Sequence, residues 1–164
     1  MLPEQLKELE LETKSFRDAP FQPNPPIREI FVSMIPGSGE SLRKAALMCY
    51  GLGLTNGWWH EIHKPGMPAK EERDFGNIIA LLHSEVSEAF EAYRNDDKMD
   101  NKVPKFRGRI AELVDLQVRL FDYVASDPAI LDEFVACFEA KNQFNVDRPD
   151  HKIENRLAAG GKKL

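Results

Sequence analysis

The chain has 164 residues, 42% of them hydrophobic and 30% charged, which suits a soluble globular domain with a real core and an end that need not pack. A net charge of −5 removes any overall attraction for nucleic acid polymers or anionic membranes, so a polyanionic ligand would need a local cluster of cations or a metal ion. No apolar run approaches the ~18 residues of a membrane span, and the opening MLPEQLKELELETK lacks signal-peptide chemistry. Cys49 and Cys137 form no C-x-x-C pair and sit among apolar neighbours, so they read as buried, reduced thiols of a cytoplasmic protein.

In chain order, Leu2, Leu6, Leu9 and Leu11 fall among acids and lysines up to about Phe16, the pattern of a short amphipathic helix whose stripe must dock. From Pro20 to Gly39 five prolines and two glycines forbid a long helix, and the apolar patch Ile30 to Ile35 predicts an extended, wrapping arm. A helix is predicted from an N-cap at Ser41 to about Leu54, where TNGWWHEIHKPGMP breaks it. The longest runs from about Ala69 to Arg94, with Glu71, Glu72 and Asp74 near its positive end. A polar stretch, NDDKMDNKVPK, separates it from a helix of about Phe106 to Ala125; SDP caps a last helix, Pro128 to Asp147, which Pro149 stops. With no strand alternation and no repeat, the expectation is an all-α bundle of about four to five helices. Its parts would be an N-terminal helix and Pro-rich arm (1–40), a helical domain (41–150) and a mobile basic tail (151–164).

Two acidic pairs share one helical spacing: Glu85-x-x-Glu88 in HSEVSEAFEAYR and Glu112-x-x-Asp115 in AELVDLQVRLFDY. Residues three apart on a helix project from one face, so two such pairs on neighbouring helices present four carboxylates to one small space and repel unless a cation joins them. At about 100° per residue from Phe75, the residues Phe75, Ile78, Ile79, Leu82, Val86, Ala89, Phe90 and Tyr93 all fall within about 60° of one direction, a single apolar arc. Glu85 falls at about 280°, between Leu81 and Ile78, inside an arc that should be buried; an ionised carboxylate there needs a cation partner. On the later helix a wide apolar arc leaves a window of roughly 120° holding Glu112, Asp115, Arg119 and Asp122, ordinarily the pattern of a solvated face. Hard oxygen ligands favour Mg²⁺ or Mn²⁺ over Zn²⁺, and Mg²⁺ commonly accompanies substrate phosphates. The Glu-x-x-His motif of ferritin-like di-iron bundles is absent.

In AKNQFNVDRPDHK, Lys141, Asn145 and Arg148 recur at i, i+4, i+7 on one helical face, a combination of point charge, amide and fork that suits a polyphosphate. The histidines read blandly: His60 and His63 as loop residues, His83 as a packed side chain, His151 as surface or phosphate contact. Phe134, Phe138 and Phe144 read as core or subunit contacts.

Taken in order, NGWW, LLHSEVSEAFEAYR, RGRIAELVDLQVRL and AKNQFNVDRPDHK resemble the all-α nucleoside triphosphate pyrophosphohydrolases, the MazG-like proteins, over roughly Thr55 to Arg148. The resemblance implies a helical bundle, assembled as a homodimer or homotetramer, that uses Mg²⁺ to cleave a nucleoside triphosphate into monophosphate and pyrophosphate. It also implies that Glu85, Glu88, Glu112 and Asp115 ligate the metal, one of these or Glu91 activating water. Lys141, Asn145 and Arg148 would hold the triphosphate, and Asn56 and Trp58 would lie near the nucleobase. The fullest form of the family motif is Glu-Glu-x-x-Glu; here Ser84 stands in the first position, as in a subgroup of short members. The competing expectation is a non-catalytic helical module that binds nucleotide or a protein partner.

Overall fold

The computed structural model describes residues 3–18, 27–59, 73–149, 152 and 155–156. These residues form six helices: α1 (Pro3–Asp18), α2 (Ile27–Ser33), α3 (Ser38–Thr55), α4 (Phe75–Arg94), α5 (Gly108–Val124) and α6 (Pro128–Asp147). The all-α class expected from the sequence is the one adopted; among the described residues the sole strand-like pairing is an isolated antiparallel bridge, Met99 to Arg107. No helix among them is long and apolar enough to cross a membrane. Contacts divide the chain into two compact units, Met1–Gly39 with Cys137–Leu164, and Glu40–Ala136, so α6 passes from one to the other.

In the first unit, the expected extended arm is partly helical. Pro20 to Pro26 lie outside the described residues, but Ile27–Ser33 forms α2, a helix of two turns that fits between the prolines. Arg28 secures it by donating to the Val146 carbonyl at 2.9 Å, and the Gly39 amide donates to Glu139 at 2.9 Å. Leu11 on α1 stays exposed. The tail beyond Arg156 is outside the described residues, as are His60, His63 and His151.

The second unit contains the core. Ala46 and Cys49 of α3, Phe121 and Val124 of α5, Ala125 just after it and Leu131 of α6 form its buried cluster, and Phe134 packs against it with its ring 6.5 Å from that of Phe121. Burial pushes the Cys49 thiol above its ordinary value, and the Asp122 charge adds to this. Cys137, expected buried, is exposed. Helix α3 begins at Ser38, three residues ahead of the expected cap at Ser41, because Gly37 adopts φ 82° and turns the chain so that the Ser38 hydroxyl donates to the Ile35 carbonyl.

Helix α4 begins at Phe75, where the Asp74 carboxylate accepts from the Asn77 amide at 2.8 Å. Arg73 and Asp74 are not helical, which corrects the expected start near Ala69. Between α4 and α5, Asp96 and Asp97 take positive φ (65° and 47°), a conformation aspartate tolerates better than most residues. Asp97 then pairs with Arg109 at 2.9 Å, and the Gly108 amide donates to the Lys98 carbonyl at 2.8 Å. A Cβ at Gly108 would come within 3.3 Å of Ala92, so glycine lets the start of α5 lie directly on α4. Helix α6 has the expected limits, Pro128–Asp147, with Asp127 accepting from the Ala129 amide at 2.7 Å.

Candidate functional site

Helix α5 faces the opposite way from an ordinary amphipathic helix over its first three turns. Ile110, Leu113 and Val114, the centre of its apolar arc, are exposed. Its polar window turns toward α4 and an adjoining pocket: Asp122 is 2% exposed, and Glu112 and Asp115 are half-buried. Glu112, Asp115 and Asp122 are therefore not on a solvated face, the ordinary reading of such a window, while Arg119 stays exposed. The apolar arc of α4 is divided. Ile78, Glu85 and Ala89 are buried, whereas Phe75, Ile79, Val86, Phe90 and Tyr93, expected to be buried, are exposed. Glu85 lies 3% exposed, as its place on the wheel requires.

Glu85, Glu112 and Asp115 converge so that one carboxylate oxygen of each lies within 4.8 Å of the others. One Glu112 oxygen, Oε2, is buried and has no hydrogen-bond partner among the described residues. Burial, followed by the charges of Glu88, Asp115 and Glu85, raises the Glu112 pKa, while Lys102 opposes the rise. A divalent cation suits this set: all donors are hard oxygens, and the orphaned oxygen is the atom a metal would take up. Glu88 is exposed on α4 and outside the close group, although its charge reaches Glu112. Ser84 donates its hydroxyl to the Leu81 carbonyl at 2.8 Å and offers no carboxylate. Arg119 donates to Glu85, which supplies the cation partner that a buried carboxylate demands.

A pocket of about 570 Å³ adjoins the carboxylates, lined by Trp58, Arg73, Lys102, Asp115, Arg119 and Asp122, with Ile78, Leu81 and Val118 as its apolar wall. Gly57, at φ 78°, turns the chain after α3, and Trp58 follows, 53% exposed and lining the pocket, while Trp59 turns inward. The Trp59 indole N–H donates to Asp122 Oδ1 at 2.8 Å, and Arg73 donates to Asp122 Oδ2 at 3.0 Å. Arg73 also lies over the Trp59 ring, 4.7 Å from its centroid, and Tyr50 meets that ring edge-on at 5.3 Å. Burial raises the Asp122 pKa, opposed by the Trp59 hydrogen bond and the Arg73 charge.

Other predicted residues fall elsewhere. Asn56 is exposed in the turn after α3, and Glu91 is exposed and paired with Arg94 at 3.1 Å. His83 is exposed rather than packed. Lys141, Asn145 and Arg148 belong to the first unit, with the Lys141 ammonium 5.6 Å over Phe144 of its own helix. Phe138 and Phe144 are exposed. Sequence reasoning missed Arg73, Trp59 and Lys102. Asp122 and Arg119 stood in the polar window, and their regular spacing after Asp115 was the available signal. Comparison with models of protein families, with curated proteins and with solved structures finds no match.

Proposed function

We propose that the chain is a Mg²⁺-dependent nucleoside triphosphate pyrophosphohydrolase, with Mn²⁺ as an alternative ion, acting in the cytoplasm on a canonical, deoxy or non-standard nucleotide. The observation that carries the reading is the convergence of Glu85, Glu112 and Asp115, one with an orphaned buried oxygen, at the edge of a nucleotide-sized pocket. These three carboxylates, with Glu88 beside them, would hold the ion; when bound it would neutralise charge developing on the phosphate oxygens. A neighbouring carboxylate accepts a proton from the attacking water, whose oxygen bonds to the α-phosphorus as the bond to the bridging oxygen breaks. The products are nucleoside monophosphate and pyrophosphate. Trp58 offers an indole face to the nucleobase. The family resemblance agrees with this chemistry.

A panel of canonical and modified nucleoside triphosphates with Mg²⁺ or Mn²⁺, read by product chromatography, tests the proposal. Glu85→Ala and Asp115→Ala should each lower pyrophosphate release by about 10²–10³-fold with helical circular dichroism retained. Unchanged turnover in both variants would sink it.

One observation favours a second reading. Arg119 already compensates Glu85 from within the chain, as in a structural bundle that binds nucleotide or a protein partner without catalysis. That module would bind Mg²⁺ and nucleotide and release neither product. The exposed apolar residues Phe75, Val86 and Phe90 of α4, with Ile110, Leu113 and Val114 of α5, support a homo-oligomer, a dimer or tetramer. Light scattering on the purified chain tests it; a monomer at high concentration refutes it.

A further inference from the structure

We infer that Arg73 is the residue that grips the pyrophosphate portion of the substrate, and that Asp122 and Trp59 serve to hold its guanidinium in position. The inference rests on the reading of the pocket as a triphosphate site and extends it to residues that neither the acidic pairs nor the basic stripe include.

The argument begins with the cost of Asp122. A carboxylate 2% exposed at the apolar end of α5 is expensive to bury and needs partners on both oxygens. It has them: Trp59 on Oδ1 and Arg73 on Oδ2. The contact constrains the arginine as much as it satisfies the aspartate. One edge of the guanidinium is tied to Asp122, one face rests on the Trp59 indole at 4.7 Å, and Trp59 itself is 1% exposed and braced by Tyr50. Gly53 makes room for the arrangement, since a Cβ there would enter the van der Waals shell of Asp122 Oδ1.

A guanidinium fixed on an edge and a face loses little further freedom when it binds, which is the condition for a strong charge-assisted contact. Its side chain remains partly exposed and lines the pocket, together with Lys102 and Arg119. The carboxylate end of the pocket suits a divalent cation, and this cationic wall suits the phosphates that accompany it. Planar, bidentate recognition of phosphate oxygens is the chemistry an arginine fork supplies and a lysine does not.

A purely structural role, fastening the chain before α4 to α5, would use the same contacts, so the test must read anion binding apart from stability. Inorganic pyrophosphate is titrated calorimetrically into the full chain at fixed Mg²⁺ for wild type, Arg73→Gln and Arg73→Lys, with Mn²⁺ binding in the absence of phosphate and melting temperature measured alongside. Arg73→Gln should weaken pyrophosphate binding by about tenfold or more, and Arg73→Lys by less, with Mn²⁺ affinity unchanged. Pyrophosphate affinity within about twofold of wild type in both variants overturns the inference, and more plainly so if Lys141→Gln removes the binding instead.

A second measurement needs no variant. Phenylglyoxal labelling of the wild-type chain, mapped by peptide mass, should modify Arg73 less when Mg²⁺ and pyrophosphate are present; equal labelling with and without them overturns the proposal. Because pyrophosphate binding requires no turnover, a chain that binds it through Arg73 but hydrolyses nothing refutes the enzymatic reading alone. A chain that hydrolyses normally with Arg73→Gln refutes only the grip.

Discussion

The first and last turns of α5 are built on opposite principles. At its C-terminal end Phe121 and Val124 enter an ordinary apolar core with Ala46, Cys49 and Leu131. At its N-terminal end the same helix turns Glu112 and Asp115 toward Glu85 on α4 and leaves Ile110, Leu113 and Val114 exposed. The C-terminal half is held by burial of hydrocarbon, which favours the folded state without any ligand. The N-terminal half gathers like charges, an arrangement that stabilises nothing unless a cation is supplied. The hydrocarbon core and the carboxylate cluster are thus separated along one helix.

The largest effect should come from breaking the apolar end. Phe121→Ala should cost about 3–5 kcal/mol in chemical denaturation, equally with and without Mg²⁺. A metal-dependent loss would mean that the two ends are not separate. The next effect belongs to the internal counter-ion. Arg119→Gln leaves the Glu85 carboxylate uncompensated and should destabilise the metal-free chain by about 1–3 kcal/mol. Mg²⁺ should recover most of this loss, and melting temperatures with chelator and with excess metal measure it. No recovery would detach Glu85 from the metal reading.

Glu112→Gln should do the reverse at the same end of the helix. Removing one of the crowded charges stabilises the metal-free protein by about 1 kcal/mol, while weakening Mn²⁺ binding as read by calorimetry. The smallest effect is a pH dependence. The Glu112 carboxyl is held above its ordinary value of 4.5 by burial and by the neighbouring Glu88, Asp115 and Glu85 charges. The folded chain therefore binds more protons than the unfolded one in that window. Stability is complete below the unfolded value and declines as pH rises through the raised folded one. Asp122, also raised, contributes with the same sign. Melting temperature measured against pH should show this decline in the metal-free protein, flattened by Mg²⁺ and reduced by Glu112→Gln.

Local features of the sequence were sufficient for α6, where Asp127 caps, Pro128 fits the first turn and Pro149 ends the run. They were sufficient for Glu85 too, because a carboxylate inside an apolar arc has one place to go. For α5 they misled: a helical wheel gives the direction of the apolar arc but not which side the rest of the chain will cover. Over the first three turns the covered side is the polar one, whereas Phe121 and Val124 of the same apolar arc are buried further along. The α4 arc failed in the same way over Phe75, Val86 and Phe90. Arg73 and Trp59 were invisible for a different reason. Their meaning comes from Asp122, which lies 49 and 63 positions away in the chain, and no local pattern encodes such a meeting.

Gly53 gives the apolar end of α5 a hold on the pocket. The missing side chain sets how near α3 can approach Asp122, and the same helix carries Tyr50 and leads through Gly57 into Trp59. The spacing between two helices is thereby converted into the position of one guanidinium. A methyl group added at Gly53 must widen that spacing or push the Asp122 carboxylate aside, and either movement shifts the platform on which Arg73 rests. The pocket's width is gauged from behind, by a residue that touches no solvent in it.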